Sequence, residues 1–295
     1  MTEKTEYKVL VTGHTGFIGS NLYDYLLTVP DVEAIGYSKS KGQNIFDTAN
    51  LMMYVSEADI VYHLAADANL GASKKRPVYT INVNIDGCLN VLEACRICDT
   101  PMVYASTCEV YGTSKLPFSE GAGLNPTNPY AASKAASDRI CYSYAVCYGM
   151  DVKIVRLFNP YGPRQQLNKI IPTFYDQAKN GKEITVHGVG FDTRDYVYID
   201  DIISGLWMAR GIPAGETINL ATGVETTTVE VAKLIQEITK NNTNLKFCEY
   251  PPEHGNIKNQ VGTNYRAISY GWKPQVKLEE GIKRTVELLE GKKEK

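Results

Sequence analysis

Residues 8–12 read Lys-Val-Leu-Val-Thr, and the next seven are Gly13-His14-Thr15-Gly16-Phe17-Ile18-Gly19. No other stretch restricts the fold so tightly. A five-residue apolar run without helical period reads as a buried strand. Leu22, Leu26 and Leu27 follow at helical spacing. Three glycines at intervals of three, between a strand and a helix, are a variant of the dinucleotide fingerprint. The first permits a tight turn, and the second lets backbone approach a pyrophosphate. The third lets the helix pack closely on the strand, with its N-terminus toward the phosphates.

The same alternation continues downstream. Residues 32–37, 59–64, 102–105 and 152–156 read as further strands, and 78–98 and 130–148 as helices. Strands alternating with helices predict an α/β, doubly wound parallel sheet. After Arg164 the pattern loosens. Helices are expected at 170–180, 200–210, 228–239 and 278–289, with a short strand at 183–187. We assign residues 1–163 to an NAD(P)-binding domain, completed by about 196–222. Residues 164–295 are assigned mainly to a smaller, substrate-binding lobe over the carboxyl edge of the sheet, where doubly wound folds bind ligands.

Strand two ends Ile35-Gly36-Tyr37-Ser38-Lys39. An acid at this point usually holds the ribose 2′-hydroxyl of NAD. None is present, and a hydroxyl followed by a cation suits a 2′-phosphate, so the cofactor is read as NADP in preference to NAD. The plainer reading makes Lys39 and Lys41 solvated loop charges. Other classes are set aside on composition. A net charge of −2 does not suggest a nucleic-acid surface. No run of about 18 apolar residues suggests a membrane span, and the polar start, Met1 to Tyr7, does not resemble a signal peptide. Seven scattered cysteines fit reduced thiols and a cytoplasmic location. Cys95 and Cys98 form a CxxC inside a predicted helix, best read as packing. The four histidines have no metal-ligand spacing, so no metal is expected.

A Tyr-x-x-x-Lys pair places both side chains on one helical face. There an ammonium can lower a phenol's pKa, so that the tyrosine works as a base near neutral pH. The chain holds four such pairs: Tyr37/Lys41, Tyr111/Lys115, Tyr130/Lys134 and Tyr175/Lys179. Context selects Tyr130 and Lys134. Asn128-Pro129 starts a helix beside them, small residues surround them, and the preceding strand ends Ala105-Ser106-Thr107, where a hydroxyl can meet the phenol.

These segments resemble the nucleotide-sugar epimerases and dehydratases of the extended short-chain dehydrogenase/reductase family, with their Rossmann-type fold. Six stretches stand in the family's order: TGHTGFIG (12–19), HLAA (63–66), STCEVYG (106–112), NPYAASK (128–134), RLFNPYGPRQ (156–165) and TRDYVYIDD (193–201). The resemblance implies that Thr107 hydrogen-bonds the sugar's 4-hydroxyl, that Tyr130 removes its proton, and that Lys134 binds the nicotinamide ribose. It implies that Gly13, Gly16, Phe17, Ile18 and Gly19 contact the pyrophosphate. Asn44, Ile45, Leu64, Ala65, Ala66, Asn84 and Leu157 would line the cofactor site beside Ser38 and Lys39. Asn159 and Arg194 would hold the diphosphate of a nucleotide-linked sugar, expected to carry UDP. The shared first step is oxidation at C4 to a transient 4-keto sugar, with the cofactor reused.

A 4-keto group acidifies the C5 proton. Family dehydratases carry Thr-Asp-Glu at this segment, and this chain carries Thr107-Cys108-Glu109. The variant resembles UDP-N-acetylglucosamine 5,6-dehydratases of the tunicamycin type, with Glu109 as base and the Cys108 thiol as acid. Dehydration is therefore the leading expectation. The alternatives are a UDP-hexose 4-epimerase, which usually has small or neutral residues at both positions, a UDP-uronic acid decarboxylase, or a reductase. A non-catalytic dinucleotide sensor typically loses the Tyr or the Lys, and both are kept. Relatives often carry an arginine near the start of the last segment that grips the diphosphate. The stretch Pro252-Glu253-His254-Gly255-Asn256 has none, leaving His254, Lys258, Arg266 or Arg194 for that role, and Thr263-Asn264 replaces a common Ala-Asp. The resemblance further implies a homodimer packed through the 78–98 and 130–148 helices.

Overall fold

Six parallel strands make the central sheet of this computed structural model, which describes residues 6–250 and 258–291. They are β1 (Tyr7–Thr12), β2 (Val32–Tyr37), β3 (Ile60–His63), β4 (Met102–Thr107), β5 (Val152–Leu157) and β6 (Thr217–Leu220). Their order is β2-β1-β3-β4-β5-β6. Side chains alternate across the sheet: Val9 and Val11 face one hydrophobic core, and Leu10 between them faces the other. Helices cover both faces, so β4 and β5 are buried along their whole length.

The register decides where function can sit. Thr12 lies opposite His63 and Tyr37, and Thr107 opposite Leu157. The carboxyl ends of these five strands therefore emerge along one edge. The strand order reverses between β1 and β3, the switch point at which such sheets bind ligands.

The helices are α1 (Phe17–Leu26), α2 (Thr48–Ser56), α3 (Gly87–Cys98), α4 (Pro129–Tyr148), α5 (Ile170–Lys179), α6 (Ile199–Ala209), α7 (Thr228–Thr239) and α8 (Leu278–Leu289). Asn128 caps α4, its side chain accepting from Ala131 N at 2.8 Å, with Pro129 at the first turn. Gly149, in the left-handed conformation, ends it. Thr227 and Glu230 form a reciprocal cap on α7. The single helix expected over 78–98 is broken by a wide π turn at Asn82–Asp86. There Asn84 turns inward, accepting from Asp67 N and donating to Ser133 Oγ, both at 2.8 Å. Helix α2 and the strands at Thr217–Leu220 and Leu245–Cys248 carry too few periodic residues to be read from sequence.

The smaller lobe packs α5 and α7 beside a parallel pair of strands, Ile184–His187 and Leu245–Cys248. Short ladders join Thr193–Arg194 to Thr226–Thr227 and Pro160–Tyr161 to Val197–Tyr198. Among the described residues no helix is long and apolar enough to cross a membrane.

Candidate active site

The glycine loop turns between β1 and α1. Gly13 has φ +74°, and a Cβ there would lie 2.8 Å from the Ala65 backbone. A Cβ on Gly19 would lie 2.2 Å from the Gly13 carbonyl. Neither position admits a side chain, so bare backbone and the N-terminus of α1, capped by Gly16, face a cavity of about 940 Å³. This wall suits the pyrophosphate of a dinucleotide, because free amides and the helix dipole both favour an anion there.

Gly13, Gly16, Phe17, Ile18, Gly19, Leu64, Ala66 and Leu157 all line that cavity, and so do Thr107, Cys108, Glu109, Tyr130, Lys134, Asn159 and Arg194. Six residues expected at the cofactor do not. Ala65 lies against Gly13 through its backbone. Asn84 is buried and spent on Asp67 and Ser133. The Asn44 carbonyl accepts from Tyr37 Oη, and Ile45 packs in the second core. Ser38 and Lys39 stand beside the loop, where Thr15 Oγ1 meets Ser38 Oγ at 2.6 Å and Ser40 Oγ at 2.7 Å. The three hydroxyls form one cluster, of which sequence had named only Ser38.

Tyr130, Lys134 and Asp138 follow one another by single turns along α4. The Thr107 side chain favours the ionised form of the Tyr130 hydroxyl. Lys134 Nζ donates to the Ala105 carbonyl at 2.5 Å and lies 4.1 Å from the centre of the Tyr104 ring. Enclosure pushes the Tyr130 hydroxyl up, and Thr107 is what opposes this. Burial draws Lys134 down to about 8. Tyr37, Tyr111 and Tyr175 lie away from this cavity.

Glu109 follows β4 in a short turn, Cys108–Tyr111, and its own amide donates to Thr107 Oγ1 at 3.3 Å. Its carboxylate accepts from Gln260 Nε2 at 2.8 Å and from Asn128 Nδ2 at 3.5 Å. Asn128 thus caps α4 with one side-chain atom and holds Glu109 with the other. Cys108, the expected acid, is buried beside it. Burial, and then the Glu109 charge, push its thiol well above the usual range, and its S–H donates to Gln260 Oε1 at 3.9 Å. Lys169, which sequence had not singled out, shares the cavity. Burial lowers its pKa, and the charge of Glu109 opposes that shift.

Asn159 Nδ2 donates to the Asp195 carbonyl at 3.1 Å. Arg194 donates to the carbonyls of Thr193 and Lys258, at 2.7 and 2.9 Å. Of the substitutes considered for the diphosphate arginine, Arg266 does not line the cavity and pairs with Glu216 at 3.0 Å beside β6. Lys258 contributes its carbonyl to Arg194 and does not line the cavity. His254 and its stretch lie outside the described residues. The CxxC is packing: Cys95 is fully buried, and Cys98 meets Met52 Sδ at 3.3 Å.

Residues 9–221 match the model of the NAD dependent epimerase/dehydratase family. UDP-glucuronic acid decarboxylase 1 of Xenopus tropicalis is 30% identical over 308 residues, covering 97% of this chain and 73% of that protein. The crystal structure of Thermotoga maritima UDP-glucose 4-epimerase with UDP-glucose superposes with a TM-score of 0.88 at 29% identity, covering 96% of this chain and 99% of that one. The dTDP-glucose 4,6-dehydratase of Bacillus anthracis, in complex with NAD, superposes with a TM-score of 0.87 at 26% identity, covering 96% of each chain.

Proposed function

This chain belongs to the NAD dependent epimerase/dehydratase family, and on that premise we propose that it is an NADP-dependent UDP-sugar dehydratase. The observation that carries the reading is the Glu109 carboxylate, fixed by two amide donors on the same cavity wall as Thr107, Tyr130 and Lys134. A plain exchange of configuration at C4 has no use for a second base.

Thr107 and Tyr130 hold the sugar's 4-hydroxyl, and Tyr130 takes its proton. Lys134 holds the ribose of the cofactor. The dinucleotide, when bound, supplies a hydride acceptor at C4 and returns the hydride later in the turnover. With a carbonyl at C4 the C5–H bond is acidified, and Glu109 removes that proton. In place of the Cys108 thiol, Lys169 donates the proton that leaves with the 6-hydroxyl as water. Its ammonium lines the cavity, and burial makes it a better acid than an exposed lysine. Asn159 and Arg194 hold the diphosphate, where a guanidinium pairs with phosphate oxygens. The hydroxyls of Thr15, Ser38 and Ser40, with Lys39, form the cradle for a 2′-phosphate, which supports NADP over NAD. Exposed Val78, Ile97, Tyr142, Val146 and Tyr148 support a homodimer through α3, α4 and the turn before them.

Incubation with UDP-N-acetylglucosamine and UDP-glucose in deuterated water tests this. Loss of one water with the C5 proton gone from the product, whether as a 5,6-ene or as deuterium at C5, supports dehydration, and retention of mass with inversion at C4 overturns it. A 4-epimerase is the second reading, favoured by the two amide donors that hold Glu109 within the protein, an arrangement a purely structural carboxylate shares.

A further inference from the structure

Gln260 lies 151 residues from Glu109 in the chain and is fully buried. Its backbone is fixed on two sides: its amide donates to the Thr193 carbonyl at 3.1 Å, and the next carbonyl, of Val261, accepts from Phe118 N at 2.8 Å. The side chain of Gln260 then spans two neighbours. Nε2 donates to Glu109 Oε1 at 2.8 Å, and Oε1 accepts the Cys108 S–H at 3.9 Å.

An amide has one donor end and one acceptor end. Rotating it by half a turn would set Oε1 against the Glu109 carboxylate and Nε2 against a thiol that burial keeps protonated, leaving two acceptors facing each other and two donors facing each other. Cys108 therefore fixes which way the Gln260 amide points, and the amide fixes one oxygen of Glu109.

We infer that Gln260 is a positioning residue for the base Glu109, and that Cys108 orients the Gln260 amide in place of donating a proton to substrate. The inference rests on Glu109 acting at C5, as proposed above. The segment carrying Gln260 also supplies the Lys258 carbonyl to Arg194. One extended segment of the second lobe thus braces both the residue assigned to the diphosphate and the residue assigned to the C5 proton.

The test uses the full chain as Gln260→Leu, Gln260→Glu, Cys108→Ala and Glu109→Gln. In deuterated water, loss of the C5 proton of UDP-N-acetylglucosamine and UDP-glucose falls roughly 10- to 100-fold in Q260L, while substrate KM and dinucleotide affinity are kept. It falls further in Q260E, a near-isostere that puts a second carboxyl against Glu109, and by less in C108A. Wild-type loss of the C5 proton in both Gln260 variants overturns the inference. If E109Q keeps full C5 proton loss, Glu109 is not the base, and that result is separate from the behaviour of the Gln260 variants.

Discussion

The Arg156 guanidinium meets the Asp138 carboxylate side-on, Nε to Oδ2 at 2.9 Å and Nη2 to Oδ1 at 3.0 Å, with both side chains essentially without exposure. Arg156 comes from β5 and Asp138 from α4, two turns beyond Tyr130. Ser106 Oγ, beside Thr107, donates to the same carboxylate at 2.8 Å. The pair ties the catalytic helix to the strands that carry the rest of the site. Replacing Arg156 with Met leaves a buried carboxylate without its main partner, and we expect a loss of about 3–5 kcal/mol in urea unfolding. Burial works against the Asp138 charge, but its two arginines outweigh it and hold the carboxyl below its usual range. Its stabilising contribution is therefore present above the unfolded carboxylate value of about 4 and is lost as the pH falls through the folded one. The gap between wild type and R156M should narrow in acid. A gap below about 1 kcal/mol at neutral pH would refute the assignment.

Tyr130→Phe removes the hydroxyl whose ionised form Thr107 favours and leaves the helix intact. Turnover should fall about 10³-fold, with dinucleotide affinity changed only slightly. Steady-state rates and a fluorescence titration of the cofactor separate the two effects.

Lys134 titrates near 8. Its ammonium is the form that donates to ribose hydroxyls. Cofactor affinity should be full below about pH 8 and decline as the pH rises through it. A Lys134→Met variant should bind more weakly and show no such decline. A flat wild-type profile between pH 6.5 and 9.5, on the order of three units around the titration, would remove Lys134 from the cofactor site.

Ser38→Asp places a carboxylate in the hydroxyl cluster with Thr15 and Ser40. It would repel a 2′-phosphate and accept a 2′-hydroxyl. The ratio of NADP to NAD affinity should fall roughly 100-fold, about 2.8 kcal/mol. Calorimetric titration with each dinucleotide reads this directly, and an unchanged ratio would place the adenosine ribose elsewhere.

Val146 on α4 is 64% exposed. A glutamate there buries a charge if α4 packs against a second copy, so light scattering should find V146E monomeric where wild type is dimeric. Equal masses for the two proteins would move the interface off α4.

The sequence by itself determined what local chemistry can encode. A strand followed by glycines at intervals of three has few conformations open to it, and Gly13 and Gly19 have no room for a Cβ. Asn128-Pro129 starts a helix for stereochemical reasons, and the spacing of Tyr130 and Lys134 then puts them on one face. Alternating periods set the parallel sheet, and the sheet's carboxyl edge gathered Thr107, Tyr130, Lys134, Asn159 and Arg194 around one cavity. The tertiary structure alone decided the state of those groups. Whether Cys108 is an acid depends on its burial and on Gln260, and whether Lys134 perturbs Tyr130 depends on where its ammonium finds an acceptor. Lys169 and Gln260 reach the site through chain crossings that no periodicity records. Asn84, in a π turn, bonds Asp67 and Ser133 and does not line the cavity, a placement no spacing encodes. Spacing along a chain fixes which residues share a face, whereas desolvation and hydrogen-bond partners follow from packing between segments far apart in sequence.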